Sequence, residues 1–411
     1  MSSSPDPKTV VIIGALDTKG AEFAFVKGLI EADGVDTLVV DFGTMGEPEL
    51  EPDVTRAEVA AAADGDISYF ASGDHKDEAM QTMAAGLAVV VRRLYDEGRL
   101  GGIIGMGGTG GTSIATTGMR VLPVGVPKVM VSTVAGGDVS AYAGARDITF
   151  IPSIVDVAGI NSISRAIFAN AAGAIAGMVR LEHPPAGEER PLVTASMFGN
   201  TTTCVERARG VVEAGGYEVL VFHATGIGGN TMEALIADGY IAGSLDITTT
   251  ELADYVCGGV FSAGPERGKA ASAAGIPAVV VPGCVDMANF DAIETVPDRY
   301  QGRNLYAWNP NVTLLRTNVE ENVRIGEILA AAVNLATAPT AVLLPMRGVS
   351  MLDSEGERFW DPEADAACFD AIRNGLRADV GVHEINHNIN DPEFADIAAN
   401  TLLEMLWVVS G

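Results

Sequence analysis

The residues of this chain that are able to do chemistry collect in loops that follow apolar runs. Gly105-Met106-Gly107-Gly108-Thr109-Gly110-Gly111-Thr112-Ser113 comes directly after Ile103-Ile104. So few side chains leave the backbone amides bare. With Thr112 or Ser113 capping a following helix, the amides of Gly110 to Thr112 and the helix dipole converge on one anion site, for which phosphate is the expected guest. No lysine follows the last glycine, so this is not a P-loop, and G-x-G-x-x-G is matched only loosely. The plainer alternative is a turn packing a small-residue helix on a sheet.

Two more loops of the first half fit such a site. Asp17-Thr18-Lys19-Gly20 offers a hydroxyl and an ammonium to phosphate, and a carboxylate to its metal ion or a sugar hydroxyl. The alternative places Lys19 in solvent beside a capped helix; lysine occurs only six times in the chain, which makes its position here informative. Ser132-Thr133-Val134-Ala135-Gly136-Gly137-Asp138 offers hydroxyls, bare amides and a carboxylate, or is an ordinary loop. Asp147 and Asp156 suit ion pairs with Arg146 and Arg165 better than a metal.

In the second half, His223-Ala224-Thr225-Gly226-Ile227-Gly228-Gly229-Asn230 is a second anion-receptive loop with a histidine able to exchange protons near neutral pH. Thr202, Thr225, Gly228, Gly229 and Asn230 are its candidate substrate contacts, with His223, Arg267 and Asp286 as catalytic candidates and Arg267 as a carboxylate or phosphate clamp. Cys204, Cys257, Cys284 and Cys368 lack C-x-x-C spacing, which argues against a zinc knuckle and a disulfide framework; Cys204, at a helix start, and Cys284, past a strand, are candidate thiolates of lowered pKa that read better as buried, inert thiols. His383-Glu384-Ile385-Asn386-His387 mimics H-E-x-x-H, but Val380 to Ile385 reads as a strand and not as the helix a zinc site needs. His387, Asn388, Asn390 and Asp391 remain a polar site to consider.

Elements positioning these loops are legible from periodicity. Val10 to Ile13, Thr37 to Phe42, Ile103-Ile104 and Lys128 to Ser132 are short β-branched or apolar runs, separated by helical stretches such as His75 to Gly98 and Asn161 to Val179. Alternating strands and helices predict a doubly wound, mostly parallel, Rossmann-like sheet, with ligands beyond the strands' carboxyl ends. The pattern then starts again: a shift of 182 (198 − 16) places Phe198 on Leu16, His223 on Asp41 and Gly228 on Gly46. Two α/β domains are expected, 1–183 and 191–411 with a linker at 184–190, related by a possible internal duplication.

Composition narrows the partners. At 411 residues, 48% hydrophobic and with a formal charge of −28, the chain is globular and disfavours nucleic acid and anionic membranes. No secretory signal or bilayer-spanning segment is read from it, which predicts a cytoplasmic protein.

Gly14 to Glu22, Gly107 to Thr112, Ser132 to Asp138, Asp156-Val-Ala-Gly-Ile-Asn161 and the runs at His223 and Gly283 together resemble the tomato mosaic virus resistance protein family. The resemblance spans nearly the whole chain. It implies an ATP-binding N-terminal domain, a second α/β domain and a homodimer; the plant proteins' further barrel-like domain and antiviral role are not expected here. ATP, with Mg²⁺, would then lie on Asp17, Thr18, Lys19, the Gly107 to Thr112 amides and Gly136, Gly137 and Asp138. Three readings follow: an ATP-dependent kinase or ligase acting on a small carboxylated or hydroxylated metabolite, a non-enzymatic nucleotide-binding module, or an NAD(P)-dependent oxidoreductase with Asp41 on a ribose.

Overall fold

The computed structural model describes residues 9–70, 75–181 and 190–410. The expected linker lies outside the described residues apart from Arg190. Two compact units, within 1–185 and 186–411, make up the chain.

Unit 1 carries strands Thr9–Gly14 (β1), Asp36–Asp41 (β2), Gly102–Gly107 (β3), Lys128–Ser132 (β4) and Thr149–Pro152 (β5). Its helices are Leu16–Ala32 (α1), Arg56–Ala61 (α2), Ile67–Phe70 (α3), Lys76–Asp96 (α4), Thr109–Arg120 (α5), Ser140–Ala143 (α6) and Ser162–Arg180 (α7). The sheet order is β2-β1-β3-β4-β5, with every pairing parallel.

Continuous β-branched runs suit strands covered on both faces, and alternate side chains divide between the layers. Val10 and Ile12 pack with Phe23, Val26 and Ile30 of α1 and with Phe168 and Ile175 of α7. Val11 and Ile13 pack with Val59 of α2, Met83 and Leu87 of α4, and Ile114 and Met119 of α5. By length and composition α7 would reach across a bilayer, yet Phe168, Ala171, Ala172, Ile175 and Ala176 lie in this core.

Unit 2 carries Leu192–Met197 (β6), Glu218–His223 (β7), Ile241–Thr248 (β8), Ala278–Gly283 (β9), Met287–Phe290 (β10), Leu305–Asn309 (β11), Val312–Arg316 (β12), Thr340–Pro345 (β13) and Gly381–Ile385 (β14). Its helices are Thr202–Ala214 (α8), Ile227–Ala237 (α9), Thr250–Cys257 (α10), Ala270–Ala274 (α11), Val319–Val333 (α12), Pro362–Gly375 (α13) and Pro392–Ser410 (α14). Six parallel strands run β14-β13-β9-β8-β6-β7, the order of unit 1 with one strand added. An antiparallel sheet, β10-β12-β11, is inserted after β9. Sequence periodicity gives no sign of that sheet as a separate layer, nor of β8. The strand read at Val380 to Ile385 is β14, which confirms that His383 and His387 do not share a helix face.

In each sheet the strand order reverses beside the first strand: between β1 and β3 in unit 1, and between β6 and β8 in unit 2. At such a point the flanking connections leave toward opposite faces and open a crevice at the carboxyl ends.

Candidate functional site

In unit 1 the crevice is edged by the glycine loop. Helix α5 starts at Thr109 with Gly108 as its N-cap, not at Thr112 or Ser113, because the first helical bond runs from the Thr112 amide to Gly108 O at 2.8 Å. The amides of Thr109, Gly110 and Gly111 therefore have no acceptor within the helix and point out of its N-terminus. The Thr112 hydroxyl turns inward, 2.7 Å from Gly108 O and 2.6 Å from Ser132 Oγ. The Thr133 amide donates to Gly107 O at 3.2 Å, so the loops after β3 and β4 form one wall.

The glycines of this wall differ in what holds them. A Cβ on Gly107 would lie 3.1 Å from Gly111 Cα, so Gly107 lets helix and strand approach closely. A Cβ on Gly108 would meet nothing nearer than Thr133 Oγ1 at 3.7 Å, and one on Gly111 nothing nearer than Met106 O at 3.8 Å. Gly110 is tighter, 3.3 Å from Met80 Cε, while Gly136 has open space around it. None of Gly108, Gly111, Gly136 and Gly137 has positive φ. The fold itself makes no demand for glycine at Gly108, Gly111 and Gly136.

The first loop is arranged otherwise than expected. Asp17 Oδ2 accepts the amides of Met45 at 2.7 Å and Gly46 at 3.1 Å, which fastens the loop after β2 and removes Asp17 as a free metal ligand. Lys19 leaves the helical backbone (φ −140°) and donates its ammonium to Val157 O, while Glu22 accepts the Gly159 amide. Lys19 thus staples the segment after β5. Thr18 is exposed, and Asp138 is an exposed carboxylate accepting the Ser140 amide at 2.9 Å, which lowers its pKa. Asp41 is fully buried and accepts the amides of Leu16 at 3.0 Å and Gly43 at 2.8 Å; burial raises its pKa. A ribose cannot reach it, and the oxidoreductase reading loses its acidic residue. Asp147 pairs with buried Lys128 at 2.8 Å.

In unit 2 the second glycine loop already holds an anion, supplied by the protein. Glu251 Oε1, fully buried, accepts the amides of Gly226 at 2.6 Å and Gly229 at 3.1 Å. A Cβ on Gly229 would sit 2.2 Å from Glu251 Oε2, and one on Gly228 would sit 1.9 Å from His223 O. Gly228 and Gly229 are therefore packing residues and not phosphate contacts. Asn230 is exposed on α9.

Arg267 is corrected in the same way. It is 1% exposed, bonded to Glu251 at 2.5 Å, to both oxygens of Asp246 at 2.6 and 2.7 Å, and to Glu233 at 3.2 Å. Three carboxylates consume its donors, so it has no face for a substrate. Asp286 is fully buried, takes a 2.8 Å bond from Ser350 and is pushed up to about 7 by burial, with Asp353 adding to the shift. Arg316 stands between Asp353 at 3.5 Å and Asp365 at 2.7 Å, and burial raises Asp365 to about 9. A buried Asp286 cannot touch a ligand in the crevice. All four cysteines are free and buried. Among the described residues no group of three or more His, Cys, Asp or Glu is placed to hold a metal.

The unit 2 crevice is instead built around the loop Phe198-Gly199-Asn200, beyond β6. A cavity of about 220 Å³ is lined by Phe198, His223, Phe261, Trp308, Val312 and Leu314, with Thr225, Asn309, Gly199 and Asn200 completing it. A second, of about 280 Å³, is lined by Gly199, Asn200, Thr203, Met351, Ser354, Asn388, Asn390 and Asp391. His223 and Thr225 thus keep a place in a cleft. Thr202 stands beside it, exposed, with its hydroxyl on Phe198 O and Gly199 O at 3.3 Å. Trp308, Phe261 and Asn200 are additions that sequence reading missed; Trp308, one of three tryptophans, arrives on a strand of the inserted sheet.

Two doubly wound units, each with a topological switch point beside its first strand, define a two-domain Rossmann-like α/β protein. The chain belongs to the uncharacterised protein family UPF0261, whose N-terminal domain matches residues 8–184 and whose C-terminal domain matches 190–406. It is 49% identical to a UPF0261 protein of Clostridium tetani over 400 residues, covering 97% of this chain and 99% of that one. A UPF0261 protein of Rhizobium meliloti is 45% identical, with coverages of 95% and 97%. The ToMV susceptible protein tm-1 of Solanum lycopersicum is 37% identical over 98% of this chain but only 56% of its own length, so the tomato protein extends well past the shared region.

Proposed function

We propose that unit 1 binds ATP in its switch-point crevice, with phosphate oxygens on the amides of Thr109, Gly110 and Gly111. The observation that carries this reading is the bareness of Gly108, Gly111 and Gly136: the fold does not require it, whereas a ligand approaching the backbone does. ATP as the nucleotide rests on the resemblance to the tomato proteins. Mg²⁺ would enter on the phosphates themselves, since Asp17 is committed to two amides.

The kinase or ligase reading for a carboxylated metabolite loses its clamp with Arg267, which favours a nucleotide-binding module or an enzyme acting on a hydroxylated metabolite. A cytoplasmic homodimer is part of the proposal, supported by four unpaired cysteines and by the exposed Trp407, Val408 and Val409 at the end of α14. Titration calorimetry of the full chain with ATP and Mg²⁺, against NAD and NADP, tests the reading. Gly136→Leu, at a position with open space around it, is expected to weaken ATP binding at least tenfold without lowering the melting temperature. Binding of NAD in place of ATP overturns it.

A further inference from the structure

We propose that the unit 2 crevice is a binding site for an uncharged nucleoside, its base in the aromatic cavity and its sugar hydroxyls in the amide-lined one. The two cavities share Gly199 and Asn200 as a common edge. Phe198 sets the first in place, its ring 5.4 Å from His223 and 6.2 Å from Phe261. Among the described residues no lysine, arginine or carboxylate lines that cavity, so it favours a flat, neutral, π-faced ring and penalises a phosphate. The second cavity is the opposite in character: Asn390, Ser354, Thr203 and Asp391 are polar groups suited to hydroxyls, while the Asn388 amide is already bonded to Ser354 Oγ and to the Asn390 amide nitrogen, each at 2.9 Å.

Two amide oxygens behind this wall are buried and unmatched. Asn200 is 3% exposed; its Nδ2 contacts Met287 Sδ at 3.2 Å and its Oδ1 has no bond. Turning the amide over would set oxygen against sulfur, which fixes the orientation. Asn390 donates its Nδ2 to Asn200 O at 2.9 Å, and its Oδ1 is likewise unmatched. A buried acceptor without a donor costs free energy, so Asn200 and Asn390 leave the wall beneath the cavities under-bonded. A nucleoside supplies the flat ring for the first cavity and the hydroxyls for the second in one molecule.

Gly199 gives a clean test. A Cβ there meets nothing within 4 Å, and its φ is not positive, so a larger side chain enters the crevice and not the core. Adenosine, guanosine, cytidine and uridine are titrated into the full chain and followed by saturation-transfer NMR and calorimetry. At least one binds, with saturation reaching its base protons, and its 5′-monophosphate binds at least tenfold more weakly. Gly199→Leu and Trp308→Ala each weaken that nucleoside at least tenfold, while the melting temperature and ATP affinity stay unchanged. Binding of none of the four, binding that survives Gly199→Leu, tighter binding of the monophosphate, or binding of ribose alone with equal affinity overturns the assignment.

Discussion

Glu251 Oε1 lies 3.1 Å from the amide nitrogen of Gly229, in the place where a phosphate oxygen would sit at a helix N-terminus. The two glycine loops of this chain look alike as sequence and are opposite as structure. One faces outward with its amides unmatched inside the helix; the other is closed by the protein's own carboxylate.

That contrast sets the first expectation. Gly229→Ala forces a methyl to within 2.2 Å of Glu251 Oε2 and is expected to cost about 1–3 kcal/mol of stability. Gly111→Ala, whose methyl would meet only Met106 O at an ordinary 3.8 Å and which lies in the first turn of α5, is expected to be neutral or to stabilise by up to about 1 kcal/mol while weakening ATP. Denaturant unfolding of both variants checks this; equal losses would contradict the contrast.

Arg267→Met is expected to cost about 3–5 kcal/mol, because it leaves Asp246 and Glu251 buried without their cation. An activity loss with unchanged unfolding would instead restore Arg267 as a substrate clamp.

The melting temperature should fall as pH rises from about 6 to 9. Asp254, fully buried on α10 and bonded by Asn289 at 2.8 Å, is raised by burial to about 7; with Asp286, also raised to about 7, and Asp365, raised to about 9, it holds a proton in the folded chain that the unfolded chain releases near pH 4. Folded-state pKa values above unfolded ones give stability that is complete at low pH and lost as pH climbs through them. Asp365→Asn keeps an acceptor for Arg316 and should flatten the upper part of the curve. A melting temperature that rises over this range in the parent chain would exclude the buried protons.

Lys19→Met removes the tie to Val157 O and is expected to speed amide exchange at Val157 to Gly159, with a loss of about 1 kcal/mol. Unchanged exchange there would leave Lys19 free for a phosphate.

The open sheets were readable in the sequence because strands buried on both faces tend to be continuous apolar runs, as Val10 to Ile13 and Ala278 to Val281 are. The switch-point loops followed from them. What periodicity could not carry was pairing over long separations: Trp308 reaches Phe198 only because β11 joins an inserted sheet, and Arg267 meets Asp246 and Glu251 only after folding. Nor does a glycine's spelling say whether the space beside it is empty. Gly108 and Gly229 are told apart by what stands where a Cβ would go.

Gly199 has a consequence of another kind. A residue that edges a binding crevice, has ordinary backbone angles and has vacant space beside it can change identity without endangering the fold. The crevice of unit 2 can therefore be retuned one substitution at a time, through folded intermediates at every step. The α9 loop has no such freedom, since any side chain at Gly228 or Gly229 is resisted by backbone or carboxylate. Innovation in this molecule has a permitted address.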